Sequence, residues 1–175
     1  MTELTSTYDS AGNIDEVGLR TAFGRYPSGV TALCALGSDE APIGMAASAF
    51  VGVSIDPPLV GVCIQRTSTT WPRLIDRPRI GLSVLGDGQG VACRQLASRE
   101  GDRFAELSWR TTDDGALLLH GAAAWLDCAV ESVHPAGDHE MVLFRVHRQC
   151  THLSNGPLVF HASAFHGLAE LAPAW

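Results

Sequence analysis

The apolar and polar positions divide the chain into a short N-terminal helix, a succession of strands and two further helical stretches. Within "NIDEVGLRTAFGRYP", Leu19, Phe23 and Tyr26 recur at helical spacing. Asn13 or Asp15 is available as the cap and Pro27 as the stop, so a first helix of about three turns is predicted. "SGVTALCAL" is β-branched and apolar, "GSDEAP" carries turn-forming residues, and "IGMAASAFVGVSI" resumes as strand, which together predict a hairpin. Alternation puts Val51, Val53 and Ile55 on one face of that strand and Gly52 and Ser54 on the other. The strand must end at Asp56-Pro57-Pro58, because proline has no N–H to give to a ladder. "LVGVCI" then returns the chain to the sheet.

Further along, "TSTTWPRLID" has a hydroxyl cap signal followed by Trp71 and Leu74, which predicts a short helix. "RIGLSVLG" reads as a strand, and "GQGVACRQLASREGDRF" as a helix stopping near Gly101. The C-terminal third reads as three long strands, "LLLHGAAAWLDCAVESVH", "EMVLFRVHRQC" and "PLVFHASAF", separated by turns at "PAGDH" and "SNG". Many strands, few helices and no βαβ rhythm predict a β-rich fold, an antiparallel barrel with a few flanking helices. A parallel sheet is the alternative, and it lacks crossover helices. The polar opening "MTELTSTYDSAGNIDE" reads as a flexible leader, residues 1–15, before one domain spanning 16–175. No repeat or linker interrupts that domain.

Charge narrows the possible chemistry. The net charge is −7, and all 12 basic residues are arginines. Without lysine there is no Schiff-base mechanism, no lysine-anchored pyridoxal phosphate and no P-loop lysine. The acidic excess argues against nucleic acid as a partner. No apolar run reaches the roughly 18 to 20 residues of a membrane span, and the N-terminus lacks the basic start and apolar run of a secretory signal. A cytoplasmic protein that does not engage a membrane is therefore expected. Its five cysteines, without a CxxC, are expected as reduced thiols, with Cys34 and Cys63 buried as small hydrophobes.

Several familiar sites are missing. His147, Cys150 and His152 are close in sequence, but their spacing does not bring all three to one strand face, so no metal is expected. There is no GxSxG, and the "GQG" at Gly88 to Gly90 is too short for a dinucleotide fingerprint. What remains is a set of small and hydroxyl residues at strand ends: Ser28-Gly29, Ala46-Ala47-Ser48-Ala49, and Thr67-Ser68-Thr69-Thr70 behind Arg66. Backbone N–H groups beside small side chains, completed by hydroxyls and an arginine, make an anion cradle. The competing reading is ordinary turn and cap residues.

The ordered blocks "RYPSGVT", "PIGMAASAFVGVSIDPPLVGVCI", "RTSTTW", "RIGLSVL", "SREGDRF" and "PAGDH" resemble the flavin reductase family, from Leu19 to about Leu168. The resemblance implies a homodimeric split β-barrel that takes hydride from NADH or NADPH, reduces FMN or FAD, and supplies a partner monooxygenase with reduced flavin. It implies that Pro27, Ser28, Gly29 and Val30 lie against the flavin, and that Ala46, Ala47, Ser48 and Ala49 face the ribityl chain and phosphate. Arg66, Thr67, Ser68 and Thr69 become the phosphate loop with Trp71 packing beneath, and Asp102, Arg103 and Phe104 lie near the flavin and the dimer contact. His139 of Gly137-Asp138-His139 takes the nicotinamide side as the catalytic candidate, with Phe160 and His161 as further nicotinamide contacts. The chain departs from the family at Ala46 and Ala49, where hydroxyls are usual, and at Ala162-Ser163, where an Arg-Gly pair is usual. Each absent hydroxyl removes a hydrogen bond of about 0.5 to 1.5 kcal/mol. Two other functions remain open: a flavin-site enzyme acting on another small molecule, and a flavin carrier without reductase activity.

Overall fold

The computed structural model describes residues 4–169, so residues 1–3 of the expected leader and 170–175 of the expected domain lie outside the described residues. Helix α1 (Glu16–Phe23) is capped by Asp15, whose carboxylate accepts from the Gly18 N–H at 2.9 Å. It ends at Gly24, short of Pro27, and none of its residues is buried. In chain order there follow β1 (Ser28–Gly29), β2 (Thr31–Leu36), β3 (Pro42–Ala47), β4 (Phe50–Ser54), β5 (Leu59–Gln65), α2 (Trp71–Leu74) and β6 (Ile80–Val84). A 3-10 turn then leads into α3 (Gly90–Ala97). The remaining strands are β7 (Trp109–Thr111), β8 (Leu117–Leu119), β9 (Ala124–Ala136), β10 (His139–Thr151), β11 (Val159–His161) and β12 (Ala164–His166).

Seven strands form one antiparallel sheet in the order β3-β2-β6-β9-β10-β5-β4. Its two edges, β3 and β4, are consecutive in the chain and joined through Ser48-Ala49, so the sheet curls until its edges meet at that corner. Closure leaves one face of every strand inside. Leu33, Ile43, Val62, Ile64, Leu82, Val142 and Phe144 fill the interior, and Trp71 and Leu74 of α2 pack into it. A second core lies on the outer face of β2, where Ala32 and Cys34 meet Leu96 of α3, Leu117 and Leu119 of β8, and Leu158. A strand covered on both faces has no polar side to show, which is why "TALCAL" does not alternate. Burial pushes the Cys128 thiol up to about 12 and raises Cys34 further, so both stay protonated, as small hydrophobes should.

The β-rich antiparallel barrel matches the expected fold class, whereas four segments divide differently from the expectation. "IGMAASAFVGVSI" is two strands, because the barrel turns its corner at Ser48-Ala49. "LLLHGAAAWLDCAVESVH" is also two, broken at the turn where Gly121 takes a φ of +85°. Helix α3 stops at Ala97, where Ser98 is extended, and Gly101 at φ +78° belongs to the loop beyond. "PLVFHASAF" folds back on itself as the hairpin β11–β12, with Ala162 and Ser163 at φ +47° and +65° in its turn. That hairpin extends β1, with Ser28 opposite Phe160 and Gly29 opposite Val159.

Candidate functional site

A cleft of about 240 Å³ opens where the end of β3, the link between β1 and β2, helix α3 and the hairpin β11–β12 converge. Five of the expected site residues line it: Val30, Ala46, Ala47, Ser48 and Phe160. Backbone pairing fixes their places. The Leu85 N–H donates to the Val30 carbonyl at 2.9 Å, and the Leu158 N–H donates to the Leu85 carbonyl at 2.8 Å, which secures both walls to the strand β6 exit. Opposite them, Cys93, Arg94 and Ala97 come from one face of α3, and Phe165 comes from β12. Burial raises the Cys93 thiol, with Arg94 opposing that shift, so Cys93 adds no charge to the cleft. The lining is apolar except for Ser48 and Arg94. Small side chains at Ala46 and Ala47 leave the β3 backbone approachable, which suits a flat, largely apolar ring.

A second opening, of about 360 Å³, lies toward the other end of β3. Pro42, Ile43 and Gly44 form one side, and Thr69, Thr70, Asp102, Arg103 and Phe104 form the other, together with Arg73 and Arg99. Arg103 donates to the Gly44 carbonyl at 3.1 Å and to the Thr70 hydroxyl at 2.6 Å, joining the loop after α3 to the phosphate-loop candidate. The Asp102 carboxylate accepts from the Phe104 N–H at 2.8 Å and shapes that loop. Gly44 is needed here, because a Cβ would stand 2.7 Å from Phe104 Cζ and 2.6 Å from Cys34 Sγ.

The Arg66–Thr69 segment reaches the second opening at Thr69. The Ser68 hydroxyl oxygen accepts from the Thr70 and Trp71 N–H groups and so orders the turn that leads into α2. Trp71 is a core residue, edge-on to Phe144 with centroids 6.1 Å apart, and its Nε1–H donates to Glu140 at 3.0 Å. Arg66 donates its N–H to the Asp138 carbonyl at 3.1 Å, which seats the segment against the β9–β10 turn and His139. There the His139 Nδ1 lies 2.7 Å from an Asp138 carboxylate oxygen, and the hydrogen bond from the imidazole holds that carboxyl below the usual aspartate range. His139 lines neither opening. His161, on β11, faces His166 at 5.9 Å between ring centroids, while Ser28 and Gly29 stay in the β1 pairing with the hairpin. Ala49, at the barrel corner, accepts the Cys63 N–H at 3.1 Å.

The flavin reductase like domain model matches residues 23–169, which includes both openings and every strand. The chain belongs to this flavin reductase family. It is 35% identical to a flavin reductase of Pseudomonas putida over 90% of this chain and 93% of that protein. It is 33% identical to the reductase subunit of a flavin-dependent monooxygenase of Rhodococcus jostii, over 91% of this chain and 81% of that protein. The fold superposes with a TM-score of 0.83 on a Streptomyces globisporus NADH:FAD oxidoreductase solved with NAD and FAD fragments. That protein is 33% identical, with 97% of this chain and 99% of the other covered.

Sequence reasoning missed the wall that α3 and β12 contribute to the cleft. Cys93, Arg94 and Ala97 share a helix face by their spacing, but which side of the barrel α3 covers depends on tertiary packing. Phe165 was hidden because its segment reads as one continuous strand.

Proposed function

We propose that this chain is an NAD(P)H:flavin oxidoreductase that passes reduced flavin to a partner monooxygenase. The observation that carries the reading is the apolar cleft in which Val30, Ala46, Ala47 and Ser48 face Phe160 and Phe165. When both nucleotides are bound, the nicotinamide supplies the hydride and the flavin accepts it, so the protein needs no strong acid, base or nucleophile. The protein's part is to hold two rings together and keep water out. Val30 and Phe160 supply flat apolar walls, neutral Cys93 avoids an unpaired charge, and the Ser48 hydroxyl is a donor at the polar edge of the cleft. Arg66 to Thr69 is the proposed flavin phosphate loop. Arg73, Arg99 and Arg103 beside Thr69 and Thr70 supply cations enough for a pyrophosphate, which favours FAD over FMN. His139, oriented by Asp138 next to that loop, is proposed to orient the cosubstrate. The family relation to a monooxygenase reductase subunit supports the partner.

A homodimer belongs to the same proposal. Val51 and Val53 of β4 remain 54% and 49% exposed, and Met141 is exposed beside them. Gly61 of β5 points the same way, since a Cβ there would meet Val51, Val53 and Leu143 within 3.6 Å. Val17, Phe23 and Tyr26, in and after α1, are also exposed. Exposed apolar side chains of this kind are what a second copy would cover.

The site placement is tested by Ser48→Tyr, which fills the cleft beside Ala46 and Ala47. Flavin affinity, followed by quenching of flavin fluorescence, should fall at least tenfold; an unchanged affinity places the flavin elsewhere.

A further inference from the structure

We propose that Arg94 is a specificity-determining residue that binds a phosphate of the nicotinamide nucleotide at the mouth of the cleft, an inference that rests on the reductase reading above. Arg94 is the one charged side chain among the residues lining the cleft. Its guanidinium carbon lies over the Phe165 ring, 5.4 Å from the ring centroid, a cation–π placement that uses none of its N–H donors in a hydrogen bond. Phe165 is itself confined. Its ring is 5.5 Å from Phe160, and it lies close enough to Gly90, one helical turn before Arg94, that a Cβ there would stand 3.2 Å from Phe165 Cδ2. Phe160 in turn is held opposite Ser28. The cation is therefore mounted on a fixed aromatic support at the edge of a ring-sized apolar site.

Two facts say what it is there to meet. Among the described residues, the ion pairs employ Arg20, Arg79, Arg145, Arg148 and His139, and none employs Arg94. An exposed arginine held over an aromatic ring and outside every ion pair among the described residues is suited to a bidentate phosphate contact. The flavin phosphates already have their own proposed cations, at Arg66 and at the second opening toward the other end of β3. The phosphate left for Arg94 is that of the other nucleotide. The hairpin turn at Ala162-Ser163 carries no cation, so α3 supplies the positive charge on this side of the cleft.

The test is binding of ADP-ribose, which has the pyrophosphate of the nicotinamide nucleotide without its reactive ring, to the wild type, Arg94→Gln and Arg94→Lys by titration calorimetry. FMN and riboflavin are titrated in parallel, and NADH oxidation is followed at saturating flavin. Arg94→Gln should weaken ADP-ribose about tenfold, the loss of one charge-assisted contact, and raise the KM for NADH similarly, with any change in FMN affinity matched by riboflavin. Arg94→Lys should recover part of the loss, because it keeps the charge without the planar fork. Equal ADP-ribose affinity in the wild type and Arg94→Gln, or no ADP-ribose binding by either, overturns the proposal. A loss confined to FMN and absent for riboflavin also overturns it, by giving Arg94 to the flavin phosphate. If the wild type oxidises no NADH with any flavin yet Arg94→Gln weakens ADP-ribose, the reductase reading fails while the Arg94 assignment stands.

Discussion

At the scale of single residues, the Asp138-His139 contact has a consequence that can be measured without turnover. The imidazole hydrogen bond holds the Asp138 carboxyl below its ordinary value of 3.8. A carboxylate lowered by a folded-state partner contributes its stabilisation above the ordinary aspartate range and loses it as pH falls through the lowered value. Removing the imidazole by His139→Ala should raise the Asp138 titration midpoint toward 3.8, read from its carboxyl carbon resonance; an unmoved midpoint would show that the contact does not exist in solution. Ala46, Ala47 and Ser48 stand out in the sequence as a cluster of small and hydroxyl residues at a strand end, whereas Val30 and Phe160 enter through the family resemblance. Arg94 and Phe165 were not legible, since nothing local distinguishes a helix arginine on a cleft from one on open surface. Ser68 reads in the sequence as part of an anion cradle, and in the structure its hydroxyl oxygen also accepts the Thr70 and Trp71 N–H groups at the start of α2.

At the scale of elements, the hairpin β11–β12 decides the geometry of one wall. Its turn places Ala162 and Ser163 in the left-handed region, at φ +47° and +65°, where a side chain costs energy that glycine does not. Sequence patterning missed the turn for that reason, because the Asn-Gly or Gly-Gly signal is absent. Replacing Ser163 with Gly should stabilise the protein by about 0.5 to 1 kcal/mol, seen as a higher midpoint of denaturant unfolding. A lower midpoint would mean that Ser163 makes a contact that outweighs its backbone strain. By contrast, the Asp56 to Pro58 break and the "PAGDH" turn were readable, since Pro and Gly act through local backbone chemistry alone.

At the scale of the whole molecule, the antiparallel barrel followed from the number and spacing of strands and the shortage of crossover helices. Where it closes did not follow, because the corner at Ser48-Ala49 falls within an uninterrupted strand-like run. The apolar side of β4 was also legible, but its direction was not: Val51 and Val53 point outward and are about half exposed. If a second copy covers them, Val51→Glu should convert the protein to a monomer in sedimentation velocity, with the fold intact by circular dichroism. A wild-type protein already monomeric at micromolar concentration would contradict the dimer.

The measurement closest to the central claim is loss of absorbance at the nicotinamide band with purified protein, NADH or NADPH, and FMN or FAD added in turn. Oxidation should appear only when flavin is present, rise with flavin concentration until it saturates, and be strongest with FAD. Flavin that binds the cleft while no nicotinamide nucleotide is oxidised in any combination would contradict it, and would leave the barrel as a carrier or as an enzyme of a different reaction.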